Sequence, residues 1–537
     1  MALGGHEPYL EVSMSTIVRP CRPAHPTGSS IRTAVAALLA LMIAVLAGGP
    51  VEAQQMAPPP GPQEAGTEAA LLPEEASVTQ HQGTFNGQSI SYTATAGTLP
   101  IRENGEITAK MFYVAYVKDG VEDPAGRPLF FSFNGGPGSS SVWMHMGYTG
   151  PRHVTYDENG FALLPPGGVE DNPHAILDVA DIVYIDPIAT GFSRMTEGQP
   201  LHKYHGVDAD IASVAEFIRL WTTRNDRWDS PKFIIGESYG TTRASGLAGY
   251  LQSAHAMYLN GIILVSMTGI GVERGPDITF ALTLPVFTAT AWYHGQLGAD
   301  LQGRPLRDVL DEAEAFAMGD FLDALVKGHD LESSERSRVA AQAARYTGLS
   351  AEYLVSANLR VAKERFRKEL MRDQRLTVGR LDARYKGVDS EAAGETNEYD
   401  PAMADWNGAF TTAINRYLRE ELGYDPDLEY NIFGNVYPWE RGSTMPVGEM
   451  LRQAMTENPY LKVLVQGGYY DMATDYYSAM YTIGHLQPGG ELKDRFRFSL
   501  YESGHMMYLR DEDLENSNND LREFVRWALE DLPDYPR

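Results

Sequence analysis

Six short apolar runs, each closed by a polar residue or a glycine, constrain this chain more than any other feature. Leu129-Phe130-Phe131-Ser132-Phe133 stops at Asn134, and Ile182-Val183-Tyr184-Ile185 stops at Asp186. Lys232-Phe233-Ile234-Ile235 stops at Gly236, and Ile262-Ile263-Leu264-Val265 at Ser266. Val463-Leu464-Val465 precedes Gln466, and Phe496-Arg497-Phe498-Ser499-Leu500 precedes Tyr501. Short apolar runs without strict alternation suit strands covered on both faces. Helical spacing lies between them, as at 212–221. Strand–helix alternation predicts an α/β fold with a mostly parallel central sheet and helices on both faces. Ligands of such sheets sit at the carboxyl ends of the strands, where the closing residues stand. Upstream, residues 88–94 alternate and 111–117 are rich in β-branched and aromatic residues, which predicts opening antiparallel strands.

The pattern breaks between 275 and 430. Leu310, Ala313, Ala317, Phe321 and Leu325 recur at three- and four-residue spacing, as do Leu359, Ala362, Phe366 and Leu370. This is amphipathic helix, read as a cap inserted into the core, with a separate helical domain as the alternative. The α/β core is then expected in two parts, 78–274 and 431–537. Residues 54–77, rich in Pro, Gly, Ala and Glu, read as a disordered linker.

Residues 1–53 read as a cleaved signal peptide. Arg19, Arg22 and Arg32 precede an apolar run at 34–47, and Val51-Glu52-Ala53 offers small residues at the cleavage position. The run is short for a membrane span, so export to a periplasmic or extracellular space fits better than an uncleaved anchor. Met14 is the alternative start to Met1, since the residues before it add nothing recognisable. The single cysteine, Cys21, falls in this segment, so the mature chain would have no disulfide and no thiolate chemistry. Net charge is −27, and removing residues 1–53 leaves it unchanged because three basic and three acidic side chains go together. Such a surface disfavours nucleic acid and anionic lipid as partners.

Gly236-Glu237-Ser238-Tyr239-Gly240 matches the G-x-S-x-G nucleophile elbow, with a strand-like run before it and helical spacing after it. The pattern predicts Ser238 as a nucleophile on a tight strand-to-helix turn of an α/β-hydrolase fold. An elbow serine needs a base and a carboxylate to orient that base. In chain order His505, directly after the last strand-like run, is the leading base and His485 the runner-up. Asp471, in Gly467-Gly468-Tyr469-Tyr470-Asp471, is the leading acid and Asp475 the alternate. Asn134-Gly135-Gly136-Pro137-Gly138-Ser139 follows a strand and offers a second oxyanion amide beside the amide after Ser238. It lacks the Gly-Lys-Ser/Thr of a phosphate loop. His202-x-x-His205 has metal-ligand spacing, but no third ligand completes it, so no metal is expected.

These patches together resemble the serine carboxypeptidase family. The resemblance rests on the 134–140 loop, on Asn172 through Ile182-Val183-Tyr184-Ile185-Asp186-Pro187 to Gly191-Phe192-Ser193, on the 236–240 pentapeptide, and on the Asp471 loop with Gly504-His505-Met506. It implies a Ser238–His505–Asp471 triad and an oxyanion hole from the backbone amides of Gly136 and Tyr239. It also implies that Asn134 and Glu237, with Gly135 of the same loop, hold a substrate's terminal carboxylate. A carboxyl group binds a carboxylate only when one of them carries a proton, which favours acidic conditions. The family's Trp two residues before the Asn is Ser132 here, and its second acidic residue falls on Tyr148, a possible hydroxyl donor. The Cys common in the loop is Ser139.

The resulting expectation is an exported serine carboxypeptidase acting on peptides with a free C-terminus through an acyl-enzyme, needing no cofactor. The altered Ser132 and Tyr148 keep an esterase or acyltransferase with the same triad as the second reading. A catalytically inactive binding protein on the same fold is the third.

Overall fold

The computed structural model describes residues 68–530 apart from 74, 201, 272 and 273. The expected signal peptide and most of the expected linker lie outside the described residues. Nine strands form the path of the main sheet. They are β1 (Ser77–Phe85), β2 (Gln88–Glu103), β3 (Glu106–Lys118), β4 (Leu129–Phe133), β5 (Asp181–Ile185), β6 (Lys232–Glu237), β7 (Gly261–Val265), β8 (Lys462–Gly468) and β9 (Phe496–Tyr501). Their spatial order is β1-β2-β3-β5-β4-β6-β7-β8-β9. The first three strands and the β3–β5 pair are antiparallel, and every later pair is parallel. Asn86-Gly87 and Asn104-Gly105 turn the two opening hairpins with positive φ at all four residues, the signature of a two-residue type I′ connection.

Side chains alternate between two cores, as the two-residue period of a strand requires. Phe130, Ile182, Phe233 and Ile263 pack on one face of the sheet with Leu521 and Phe524. Phe131, Val183, Ile234 and Ile262 pack on the other with Ile211, Leu247 and Leu451. Both faces are covered, so β4 and β5 are buried throughout. The second face carries α1 (Val207–Arg224), α2 (Tyr239–His255) and α3 (Val447–Glu457). The first carries the long C-terminal helix Asp511–Glu530.

The helical stretch divides in two. Helices between Pro276 and Glu369 gather Leu284, Val309, Leu310, Ala343 and Phe366 into a third core, which Tyr470, Met472 and Tyr476 join from beyond β8. The helix Pro401–Arg416 instead sends Trp406, Phe410 and Ile414 into the first sheet core. The spacing of Leu359, Ala362, Phe366 and Leu370 does not make one helix. Asn358 and Leu359 take left-handed φ values, and the helix runs only from Lys363 to Glu369. The linker expectation is also corrected at its end. Glu68–Leu71 form a helical turn, Glu68 pairs with Arg194 and Leu72 is buried in the sheet core. Burial of Leu72 orders a segment whose polar composition suggested none. Among the described residues no helix is long and apolar enough to cross a membrane.

Candidate active site

β6 ends at Glu237, and α2 begins at Tyr239. Ser238 joins them with φ 57° and ψ −128°. A non-glycine residue there is strained by roughly 1–3 kcal/mol and must be held by its surroundings. Its N–H donates to the Val265 carbonyl of β7 at 3.0 Å, and its own carbonyl accepts from the Thr241 amide at 2.8 Å. A Cβ on Gly236 would lie 2.2 Å from the Gly240 carbonyl oxygen, so the sharp turn admits only glycine at that flank. Ser238 itself is half-buried.

Asp471 and His505 follow the next two parallel strands, β8 and β9. The His505 Nδ1 lies 2.7 Å from Asp471 Oδ2. The buried carboxylate also accepts from the amides of Ala473 (2.8 Å) and Thr474 (3.0 Å) and from the Thr474 hydroxyl (2.6 Å). Burial alone would raise the Asp471 pKa; the charge of His505 and these hydrogen bonds outweigh it and bring it below the usual carboxylate value. Burial would lower His505, but Asp471, and then Glu237, raise it above the usual imidazole value. Nδ1 faces a carboxylate, so it carries the hydrogen and Nε2 keeps the lone pair of the neutral ring. The backbone anchors agree with this arrangement. The His505 carbonyl accepts from the Ser266 hydroxyl at 2.7 Å, one residue beyond the Val265 carbonyl that holds Ser238. The His505 amide donates to Leu381 at 2.7 Å, from the stretch between the helical layer and the sheet.

Asn134 closes β4. Its side chain donates to Glu237 Oε1 at 2.8 Å and accepts from the Met144 amide at 2.9 Å. The Tyr508 hydroxyl donates to Glu237 Oε2. Burial pushes Glu237 up to about 7, against the opposing effects of His505, Tyr508 and Asn134. A Cβ on Gly135 would stand 2.3 Å from the Tyr239 nitrogen, so the loop backbone lies against the first turn of α2. Gly136 follows with φ 99°. The Tyr239 side chain points into the core and donates to Asp210 at 3.0 Å, while its amide stays at the positive end of a 17-residue helix. A cavity of about 170 Å³ opens beside these loops, lined by Thr268, Thr283, Lys363, Ala473, Thr474 and Asp475.

The structure thus brings Asn134, Gly135, Glu237, Ser238, Asp471 and His505 to the carboxyl ends of adjacent strands. It does not bring Tyr148 into that group as a hydroxyl donor. Tyr148 is buried, and its hydroxyl donates to Gln466 at 2.8 Å. Its ring lies in the first sheet core, which satisfies the hydroxyl away from Asn134 and Glu237. The alternates have other roles. Asp475 caps the helix Tyr476–Leu486 and pairs with Lys363 at 2.8 Å. His485 is exposed on that helix and bonds the Tyr481 carbonyl at 2.8 Å. His202 and His205 face each other at 3.3 Å, and among the described residues no group of three or more His, Cys, Asp or Glu is placed to hold a metal. Tyr508, Thr474 and Ser266 were missed. Thr474 has a readable signal, since Asp at one position with amides two and three residues on is a turn-forming pattern. Tyr508 has none.

Residues 85–268 match the family model described as serine carboxypeptidase. The chain is 27% identical over 198 residues to the lysosomal protective protein of Mus musculus, covering 35% of this chain and 36% of that protein. It is 27% identical over 190 residues to serine carboxypeptidase-like 45 of Arabidopsis thaliana, covering 34% and 37%. Residues 85–268 are thus similar to the serine carboxypeptidase family. The matched stretch spans about a third of the length of these curated relatives. Residues 85–268 contain the 134–139 loop and Ser238, whereas Asp471 and His505 lie beyond them. The solved structure of a prohormone-processing carboxypeptidase from Saccharomyces cerevisiae shares the fold, with a TM-score of 0.53, 14% identity, and coverage of 81% of this chain and 91% of that one. The mostly parallel sheet with helices on both faces is the α/β-hydrolase fold.

Proposed function

We propose that this protein is an exported serine carboxypeptidase that removes residues from the free C-terminus of peptides. The observation that carries this reading is the buried Asn134–Glu237 pair immediately beside Ser238. A carboxyl held up to about 7 retains a proton in mildly acidic solution and can share it with a substrate carboxylate.

In the proposed reaction the terminal carboxylate docks on Asn134 and protonated Glu237. Ser238 Oγ then attacks the last peptide carbonyl, and its proton passes to His505 Nε2. The amides of Gly136 and Tyr239 hold the oxyanion, and Asp471 holds the imidazolium. The C–N bond breaks as His505 returns the proton to the leaving amine, giving an acyl-enzyme on Ser238. Water, deprotonated by His505, then releases the shortened peptide and restores the serine. Residues 1–53 are proposed to act as the signal peptide, and the helices between Pro276 and Glu369 as a cap over the core.

An esterase or acyltransferase is the second reading, favoured by one observation: Tyr148 is turned to Gln466, so the carboxylate site has a single carboxyl group. Turnover of blocked dipeptides against simple esters, with the Ser238→Ala protein as control, tests both. Peptide cleavage abolished by the substitution is expected. Ester turnover without peptide cleavage would replace the first reading by the second, and turnover unaffected by Ser238→Ala would overturn both.

A further inference from the structure

We propose that Tyr508 is a positioning residue for Glu237 in recognition of the substrate's terminal carboxylate, in place of the second acid that the family resemblance puts at Tyr148. The inference rests on the carboxypeptidase reading and adds a residue to it. Glu237 has two oxygens and two side-chain partners. Asn134 donates to Oε1, and the Tyr508 hydroxyl lies on Oε2. An amide N–H can only donate, so Asn134 holds the same oxygen in either protonation state. A phenol both donates and accepts. Tyr508 therefore satisfies the ionised carboxylate by donating, and before substrate docks it satisfies the protonated acid by accepting the O–H that the substrate carboxylate then takes over. One side chain keeps Glu237 in a single orientation while it gains and loses the proton that carboxylate binding requires.

The ring is built to hold that hydroxyl still. It stacks on Tyr148 with centroids 4.8 Å apart and planes 8° from parallel. Tyr148 is tied to Gln466, whose amide donates to the Tyr501 hydroxyl at 2.9 Å, and Tyr501 donates to Asp520 at 2.6 Å. A Cβ on Gly147 would lie 2.8 Å from the Tyr508 ring, so the ring sits directly on that backbone. Tyr148 thus backs the tyrosine that reaches Glu237. The other groups acting on Glu237 are His505 and Asp471 on the two loops beyond β8 and β9. His505 favours the ionised form of Glu237 and Asp471 the protonated one. Burial and the neighbouring Glu237 charge keep the Tyr508 phenol protonated, well above its ordinary range.

Tyr508→Phe separates this role from packing, because it keeps the ring stack and removes only the hydroxyl. The ionised form of Glu237 loses a donor, so its proton should be retained to higher pH. For a blocked dipeptide with a free carboxylate, the alkaline limb of kcat/KM should move upward by about one pH unit, with KM raised several-fold in acidic solution and kcat little changed. For the methyl ester of the same dipeptide, which has no carboxylate for Glu237 to hold, KM in acidic solution should match that of the unsubstituted protein, which also shows that the variant is folded. An alkaline limb and KM that stay in place, or an equal loss on acid and ester, would overturn the role of Tyr508. No preference for the free acid in the unsubstituted protein would instead overturn the carboxypeptidase reading, and this inference with it.

Discussion

Ser238 is held at φ 57° by the Val265 carbonyl and by the first turn of α2. Alanine can occupy the same turn, so Ser238→Ala should lower kcat by roughly a million-fold while leaving the thermal midpoint within a few degrees. A second prediction concerns proton linkage between Glu237 and His505. Ionised Glu237 raises the His505 pKa, so the two titrate as a coupled pair. The neutral Glu237→Gln removes that negative charge. His505 should then lose its proton more readily, and the acid limb of kcat/KM should move to lower pH. The same variant should lose the fall in free-acid cleavage above about pH 7, since an amide needs no added proton to donate. A profile identical to that of the unsubstituted protein would contradict the coupling. At this scale the sequence was informative where chemistry has a local spelling. Ser238 sits in its pentapeptide, Asn134 in its glycine loop, and Asp471 and His505 at the ends of apolar runs. Tyr508 has no such spelling, because its contact with Glu237 joins positions 271 residues apart. Tyr148 misled for a related reason: its place relative to Asn134 suggested a hydroxyl donor, while the nearby Gln466 takes that hydroxyl in the core.

Two contacts between elements decide whether those residues meet. The 134–139 loop touches the start of α2 at Gly135, where an added Cβ would meet backbone atoms of Tyr239 and Gly240 that cannot swing aside. Gly135→Ala should therefore push the loop from the helix, destabilise the fold by about 1–3 kcal/mol in denaturant unfolding and reduce kcat. Unchanged activity and stability would show that the loop does not need this approach. The helix Pro401–Arg416 is the second case. Trp406 is buried in the first sheet core and donates to the Tyr385 hydroxyl at 2.8 Å. Trp406→Ala should cost about 3–5 kcal/mol of stability, and a cost below about 1 kcal/mol would mean that this helix is not part of that core. The inner parallel strands were legible because each is buried along its whole length and leaves a short apolar run, while the edge strand β9 is buried only at Tyr501. β1 was not, because it lies at the sheet edge with only Phe85 buried, and its sequence is largely polar. Helical periodicity near 359–370 failed because spacing alone does not register the left-handed turn at Asn358 and Leu359.

Across the whole molecule, the acidic balance of −27 describes solubility and partners rather than fold. The proposal of export has its own test. N-terminal sequencing of the protein recovered from outside the cytoplasm should begin at Gln54, and recovery with the 34–47 apolar run still attached would contradict cleavage. Three structural layers converge on one site: the sheet carries Asn134, Glu237 and Ser238, the loops beyond β8 and β9 bring Asp471 and His505, and Leu381 anchors the His505 amide. The central claim is that this site reads a free C-terminal carboxylate. The measurement that tests it most directly compares two blocked dipeptides, identical except that one ends in a free acid and the other in an amide, followed from about pH 4 to about pH 8. Rapid cleavage of the free acid, strongest in acidic solution, with little cleavage of the amide, is the predicted result. Equal cleavage of the two at every pH would contradict it.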